Sequence, residues 1–307
     1  MSQTLITSTD PKGIRATALF HAKYNKARLD DDRAQRLNES AEFWSGIEQL
    51  IEQCSQPNQY ANEEVRSTYA YPPEYKGPLP LYEQTVLLSG VLGLNPTDAF
   101  NYYSVHLPKL ESLVPADALP WTNWFAVPSL AALDTIAQRN FPDVEGEAER
   151  YCRALLFAFG KLAASRSFQN WREGQIDPAH LRMSARLVEA MKVLGETQKG
   201  DILVIAAQLG MRHRGRSTRR AREVFVPNEY GCGSLMGASI ALTHPKRFVR
   251  WEELDMDLPG DEFSPKADGV FSKAPILNVN DDRLKFDTND VDNANENYGT
   301  ASFFLPQ

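Results

Sequence analysis

Apolar positions recur every three to four residues over the first two thirds of the chain. Leu37, Ala41, Trp44, Ile47, Ile51 and Cys54 follow this period, which predicts one amphipathic helix from Asp32 to about Cys54. Further helices are predicted at 81–92 and 96–106, the second capped by Asn95 with Pro96 at its first position. Ser129 precedes Leu130, Leu133, Ile136 and Ala137, as a cap precedes the apolar stripe of a helix. Residues 145–168 carry Tyr151, Leu155, Phe159 and Leu162 along one face. Asp177 and Pro178 open a helix through Leu181, Leu187, Val188, Met191 and Leu194, with Gly195 just past its end. Residues 1–30 are polar with few apolar anchors and are expected to be partly ordered. Four prolines between Tyr71 and Pro80 exclude helix interior there, so 57–80 reads as a linker or an aromatic-studded strap across the surface.

The pattern changes at Lys199 and Gly200. Asp201–Ala207 is a short apolar run rich in β-branched residues, the signature of a buried strand. Gly, Pro, Asn and Asp then become frequent, and 248–251, 269–279, 283–286 and 298–305 read as short strands or extended pieces. The expected fold is α+β: a helical part over 1–198 and a smaller β-containing part over 199–307, whether as two domains or one.

Composition narrows the class. With 42% hydrophobic residues, 15 Phe, 11 Tyr and 5 Trp, the 307-residue chain has the side chains of a packed globule. No apolar run approaches membrane-spanning length and the N-terminus carries no basic-then-apolar leader, so a cytoplasmic protein without membrane contact is expected. Cys54, Cys152 and Cys232 lie far apart with no CxxC spacing, which predicts reduced thiols and neither a disulfide framework nor a zinc site. No cofactor motif appears.

Charge is uneven. Residues 252–307 hold 13 acidic and 4 basic residues, a net of −9, while 1–251 carry +2 of the overall −7. Arg212, Arg214, Arg216, Arg219, Arg220 and Arg222 fall within 11 residues, beside His213. Guanidinium forks match phosphate or carboxylate. On an extended backbone Arg212, Arg214 and Arg216 share a face and span about 14 Å, while Ser217 can cap a helix that carries Arg219, Arg220 and Arg222. This strip is the leading candidate for binding RNA, DNA or another phosphate-bearing ligand. The competing reading pairs it with the acidic C-terminal region of the same chain.

A second constellation combines His213 or His244 with Asp255, Asp257, Asp261 and Glu262, which would suit a hydrolytic or metal-dependent enzyme. The spacing matches no calcium loop, so a solvated acidic loop or a set of arginine partners is favoured over a metal site. Gly231, Gly233 and Gly237 depart from the dinucleotide-binding fingerprint and read as tight packing, with Cys232 a packed small residue. Trp121, Trp124 and Trp171 read as core or interdomain anchors. The run GDILVIAAQLGMRHRGRSTRRARE, with NEYG, LTHP, GDEF, NWREG and FLPQ, resembles a set of bacterial proteins to which no activity is attached. The likeness covers roughly residues 69–307 and implies a self-contained bacterial cytoplasmic protein. Three functions stay open: nucleic-acid or phosphate binding, an enzyme, and a structural or assembly protein.

Overall fold

Side-chain caps set several helix starts along this chain. In the structure, a computed structural model that describes residues 7–54 and 59–306, Asp30, Ser129, Ser184 and Ser217 each accept the amide three residues ahead. The chain divides into two units, residues 1–57 and 58–307.

The first unit is helical: α1 (Pro11–Lys26), α2 (Asp31–Glu39) and α3 (Ala41–Cys54). The stretch expected to be only partly ordered thus contains α1. The single helix predicted from Asp32 is two, because Ser40 is extended (ψ 103°) and its hydroxyl caps the second by accepting from Phe43 N at 3.1 Å. Neither Ser40 nor any other residue with described burial in this unit is buried.

The second unit begins with an extended strap, 59–80, followed by α4 (Leu81–Leu92) and α5 (Thr97–His106). Then come β1 (Asn123–Pro128), α6 (Leu130–Asn140), α7 (Glu147–Ser165), β2 (Phe168–Asn170), β3 (Leu181–Met183) and α8 (Ala185–Thr197). The helix expected from Asp177 starts eight residues later than predicted. The Asp177 carboxylate instead folds a turn, accepting from Ala179 N and His180 N, and β3 is drawn into the sheet before Ser184 caps α8. Gly195 lies inside α8, because that helix runs on to Thr197.

The remaining elements are β4 (Ile202–Arg214), α9 (Thr218–Val224), β5 (Glu229–Gly231), α10 (Ser234–Thr243), β6 (Met256–Asp257), β7 (Asp261–Phe263), β8 (Lys273–Asn280), β9 (Arg283–Asp290) and β10 (Gly299–Phe304). The segment 248–251 is not a strand; it follows a short 3-10 turn at Pro245–Arg247. Among the described residues the ten strands form one mixed sheet. One half is β1, β4, β10 and β5, antiparallel throughout; the other contains β6, β8, β9, β7, β3 and β2. The parallel pairing of Thr300 with Asp257 joins them. The fold is α+β, with most of the helix in the N-terminal part. Position 198 lies inside the second unit, where β1 pairs along β4 in register from Asn123–Ala207 to Pro128–Ile202.

The core is continuous across helices and sheet. It includes Leu88 of α4, Ile136 of α6, Leu155 and Leu162 of α7, Leu203 and Ile205 of β4, Phe286 of β9 and Phe303 of β10, each essentially inaccessible. α10 is buried on nearly every side, which its complete lack of charged residues permits.

Candidate functional site

The arginine strip begins where β4 leaves its regular ladder. Ala301 of β10 pairs with Leu209, but Gly299 pairs with Arg214, so extra β4 residues bulge out between them. Gly210 adopts φ +115°, and a Cβ there would meet the Gly299 carbonyl oxygen at 2.8 Å. The Gln208 side-chain oxygen fills the bulge, accepting from Gly210 N at 2.8 Å and Arg212 N at 3.2 Å. Burial still alternates as the sequence suggested: Met211, His213 and Gly215 are buried, and Arg212, Arg214 and Arg216 are half-buried. Ser217 caps α9 as expected, by accepting from Arg220 N at 3.1 Å.

Every arginine of the strip is engaged by its own chain. Arg212 lies 3.3 Å from Asp117 and 3.4 Å from Glu229. Arg214 donates to the Tyr69 carbonyl at 3.0 Å. Arg216 pairs with Glu64 at 3.3 Å and donates to His213 Nδ1 at 3.0 Å. Arg219 grips both oxygens of Glu63 through Nε, at 2.8 and 2.9 Å, and lies over the Tyr60 ring. Arg220 spans Glu64 at 2.5 Å and Glu223 at 2.8 Å. Arg222 donates to the carbonyls of Pro259 and Asp261.

The partners differ from those expected. Of the acidic C-terminal region, Asp292 lies 3.7 Å from Arg219, and the charges of Glu262 and Asp261 act on Arg222. The main partners, Glu63 and Glu64, come from the strap, which is stitched down by backbone bonds from Val65 N to Gly215 O (2.8 Å) and from Ser217 N to Glu63 O (3.0 Å). Ser217 also donates its hydroxyl to Glu63 at 2.6 Å. No local pattern marked Glu63 and Glu64, because their relevance depends on a strap brought back from about 150 residues away.

Behind the strip sits a buried polar network. Glu229 accepts from His213 Nε2 at 2.8 Å and from the Ser302 hydroxyl at 2.5 Å. Gln208 Nε2 donates to Ser302 Oγ and to the Thr300 carbonyl. Because Arg216 donates to Nδ1, the His213 proton resides on Nε2. Burial pushes the His213 pKa down, and the hydrogen bond and charge of Glu229 oppose this only in part. Burial alone would raise Glu229, but the hydrogen bond from His213 and the nearby Arg212 charge hold it below the ordinary glutamate value.

His244 is committed elsewhere. Its Nε2 accepts from Leu79 N at 3.1 Å, its Nδ1 meets Thr243 Oγ1 at 2.8 Å, and burial lowers its pKa to about 4. The acidic residues expected to be solvated are largely interior: Asp255, Asp257 and Asp261 are all buried, whereas Glu262 pairs with Arg182 at 2.8 Å. Burial and the neighbouring Asp257 push Asp255 well up; burial takes Asp257 to about 7. Among the described residues no group of three or more His, Cys, Asp or Glu could hold a metal ion, and the two histidines do not converge with these carboxylates.

Asp261 explains the glycine cluster. Its Oδ2 accepts from Ser234 N at 2.7 Å and from the Tyr151 hydroxyl at 2.6 Å, so a carboxylate of the chain itself holds the N-terminus of α10. A Cβ on Gly231 would meet Gly260 N at 2.7 Å, and one on Gly233 would meet Leu187 and Asp261. Gly231 permits a close backbone crossing and Gly233 close side-chain packing, as the packing reading anticipated. Cys232 and Cys152 are free and buried, with thiol pKa values raised by burial, that of Cys152 to about 12. The side chain of Cys54 lies outside the described residues. Trp121 and Trp171, expected as anchors, are exposed, Trp171 lying against the Lys285 ammonium; Trp124 is half-buried.

Among the described residues no helix is long and apolar enough to cross a membrane. Comparison with family models, curated proteins and solved structures returned no match to this chain.

Proposed function

We propose that this is a structural or assembly protein in which the arginine strip acts as an internal clamp. The observation that carries the reading is the seating of Glu63 and Glu64 on Arg216, Arg219 and Arg220. Two carboxylates occupy the guanidinium forks that a nucleic-acid backbone would need, and Arg212, Arg214 and Arg222 are turned to other acceptors of the chain. A charge-paired, partly desolvated strip offers a phosphate backbone few unsatisfied donors and releases few counterions.

The test is a titration of labelled single-stranded RNA and DNA with wild-type protein and with an Arg212→Ala/Arg214→Ala/Arg216→Ala variant, between about 50 and 200 mM salt. The clamp reading expects no salt-sensitive binding by wild type and a lowered unfolding midpoint for the variant. Salt-sensitive binding that the variant loses while keeping its unfolding midpoint would overturn the clamp and return the strip to nucleic-acid recognition.

A further inference from the structure

The N-terminal helices carry apolar residues that, among the described residues of their own unit, find no cover. Ile14, Leu19 and Phe20 on α1, and Trp44, Leu50 and Ile51 on α3, are exposed, with Ile51 at 62% of its full accessibility. On α3 these residues are not scattered. Phe43, Ile47, Leu50, Ile51 and Trp44 fall within about a third of the helix circumference, the stripe of a helix built to pack. A helix of 14 residues draws most of its stability from packing such a stripe, and α3 does not pack it closely on α1 here.

Charge identifies what would cover it. The sequence of α1 has four basic residues, Lys12, Arg15, Lys23 and Lys26, and no acid, whereas that of α3 has Glu42, Glu48 and Glu52 and no base. An anionic lipid surface or a nucleic acid would attract α1 but repel α3. A second copy of the same chain supplies the complement of both.

We infer that residues 7–54 are a self-association element in which α1 of one copy packs its apolar, basic surface on the apolar, acidic α3 of a second copy. A two-fold arrangement makes this contact twice, α1 on α3 and α3 on α1, and so covers both α3 stripes at once. The inference rests on the structural or assembly reading above and names the partner that reading lacks.

Sedimentation velocity of the full chain in reductant, over about 1–100 µM, tests it. The expected result is a species at a multiple of 34.5 kDa that dissociates on dilution and with rising salt. Trp44→Ser/Ile51→Lys should weaken association at least about tenfold without changing the unfolding of the second unit, because both side chains are exposed. Lys23→Glu/Lys26→Glu should weaken it as well, and adding Glu42→Lys/Glu48→Lys should restore it. A chain that stays monomeric throughout, an oligomer indifferent to all four substitutions, or binding only to anionic vesicles would overturn the inference. None of these outcomes bears on the clamp, which fails only if the strip binds nucleic acid.

Discussion

His213 Nε2 lies 2.8 Å from Glu229 Oε1, with both side chains almost wholly removed from solvent. Arg216 donates to the other imidazole nitrogen, so the ring is a neutral relay between an interior carboxylate and a guanidinium at the surface edge. Glu229 supplies the fully buried negative charge of that network and also faces Arg212. Glu229→Gln keeps the shape but leaves the buried edge of Arg212 without its carboxylate. Breaking a buried pair in this way costs about 3–5 kcal/mol. For a unit of this size the unfolding midpoint should fall by roughly 10 °C, measured by thermal denaturation. An unchanged midpoint would show that Glu229 is already uncharged in the folded protein.

Asp257 should give the stability profile an unusual slope. Burial raises its carboxyl from 3.8 to about 7, so between those values the folded chain holds a proton that the unfolded chain has released. Its contribution therefore falls as pH rises across that window and is least favourable above pH 7. Asp257→Asn should reduce the slope, to which the raised Asp255 and Asp261 also contribute, and, at pH 8, stabilise the protein by on the order of 2–4 kcal/mol in denaturant titrations. His244 has the opposite sign. Its folded pKa of about 4 lies below the unfolded 6.5, so its contribution is complete above pH 6.5 and is lost as pH falls toward 4. That acid-side loss should persist in Asp257→Asn, and a variant with no gain at pH 8 would refute the assignment.

Gly215 controls whether the strap can lie down. It has φ +76°, and a Cβ would stand 2.1 Å from the Val65 carbonyl oxygen, a backbone atom that cannot rotate away. Gly215→Ala adds about 1–2 kcal/mol of left-handed strain to that clash. Trypsin should then cut after the exposed Arg66 much faster than in wild type, with the rest of the second unit still protected. Equal cleavage rates would mean that the strap is not held through this crossing.

The two interior thiols should be silent. Cys152 and Cys232 are buried, and burial keeps both protonated at neutral pH. In a Cys54→Ser variant a thiol reagent should label nothing in the folded protein and two cysteines after unfolding. Rapid labelling of Cys232 in the folded state would instead point to an accessible path beside α10.

Local chemistry was enough for much of the helical framework. The apolar stripe of α7, the cap at Ser129 and the cap at Ser217 are properties of neighbouring residues, so the sequence alone determined them, as it did the strand beginning near Ile202 and the α+β class. The split at Ser40, the late start of α8 and the pairing of Leu181–Met183 depended on competition. A cap, an Asp turn and a sheet edge each outbid helical periodicity where they were available. The arginines were visible as a cluster, but their partners were not. Which carboxylates meet Arg216, Arg219 and Arg220 was decided by a strap that returns from residues 59–80, and whether Asp257 is solvated was decided by the pairing of β6 with β8 and β10. Charge is written in the sequence, but its solvation and its partner are set by contacts between distant segments, and only the tertiary structure fixes those.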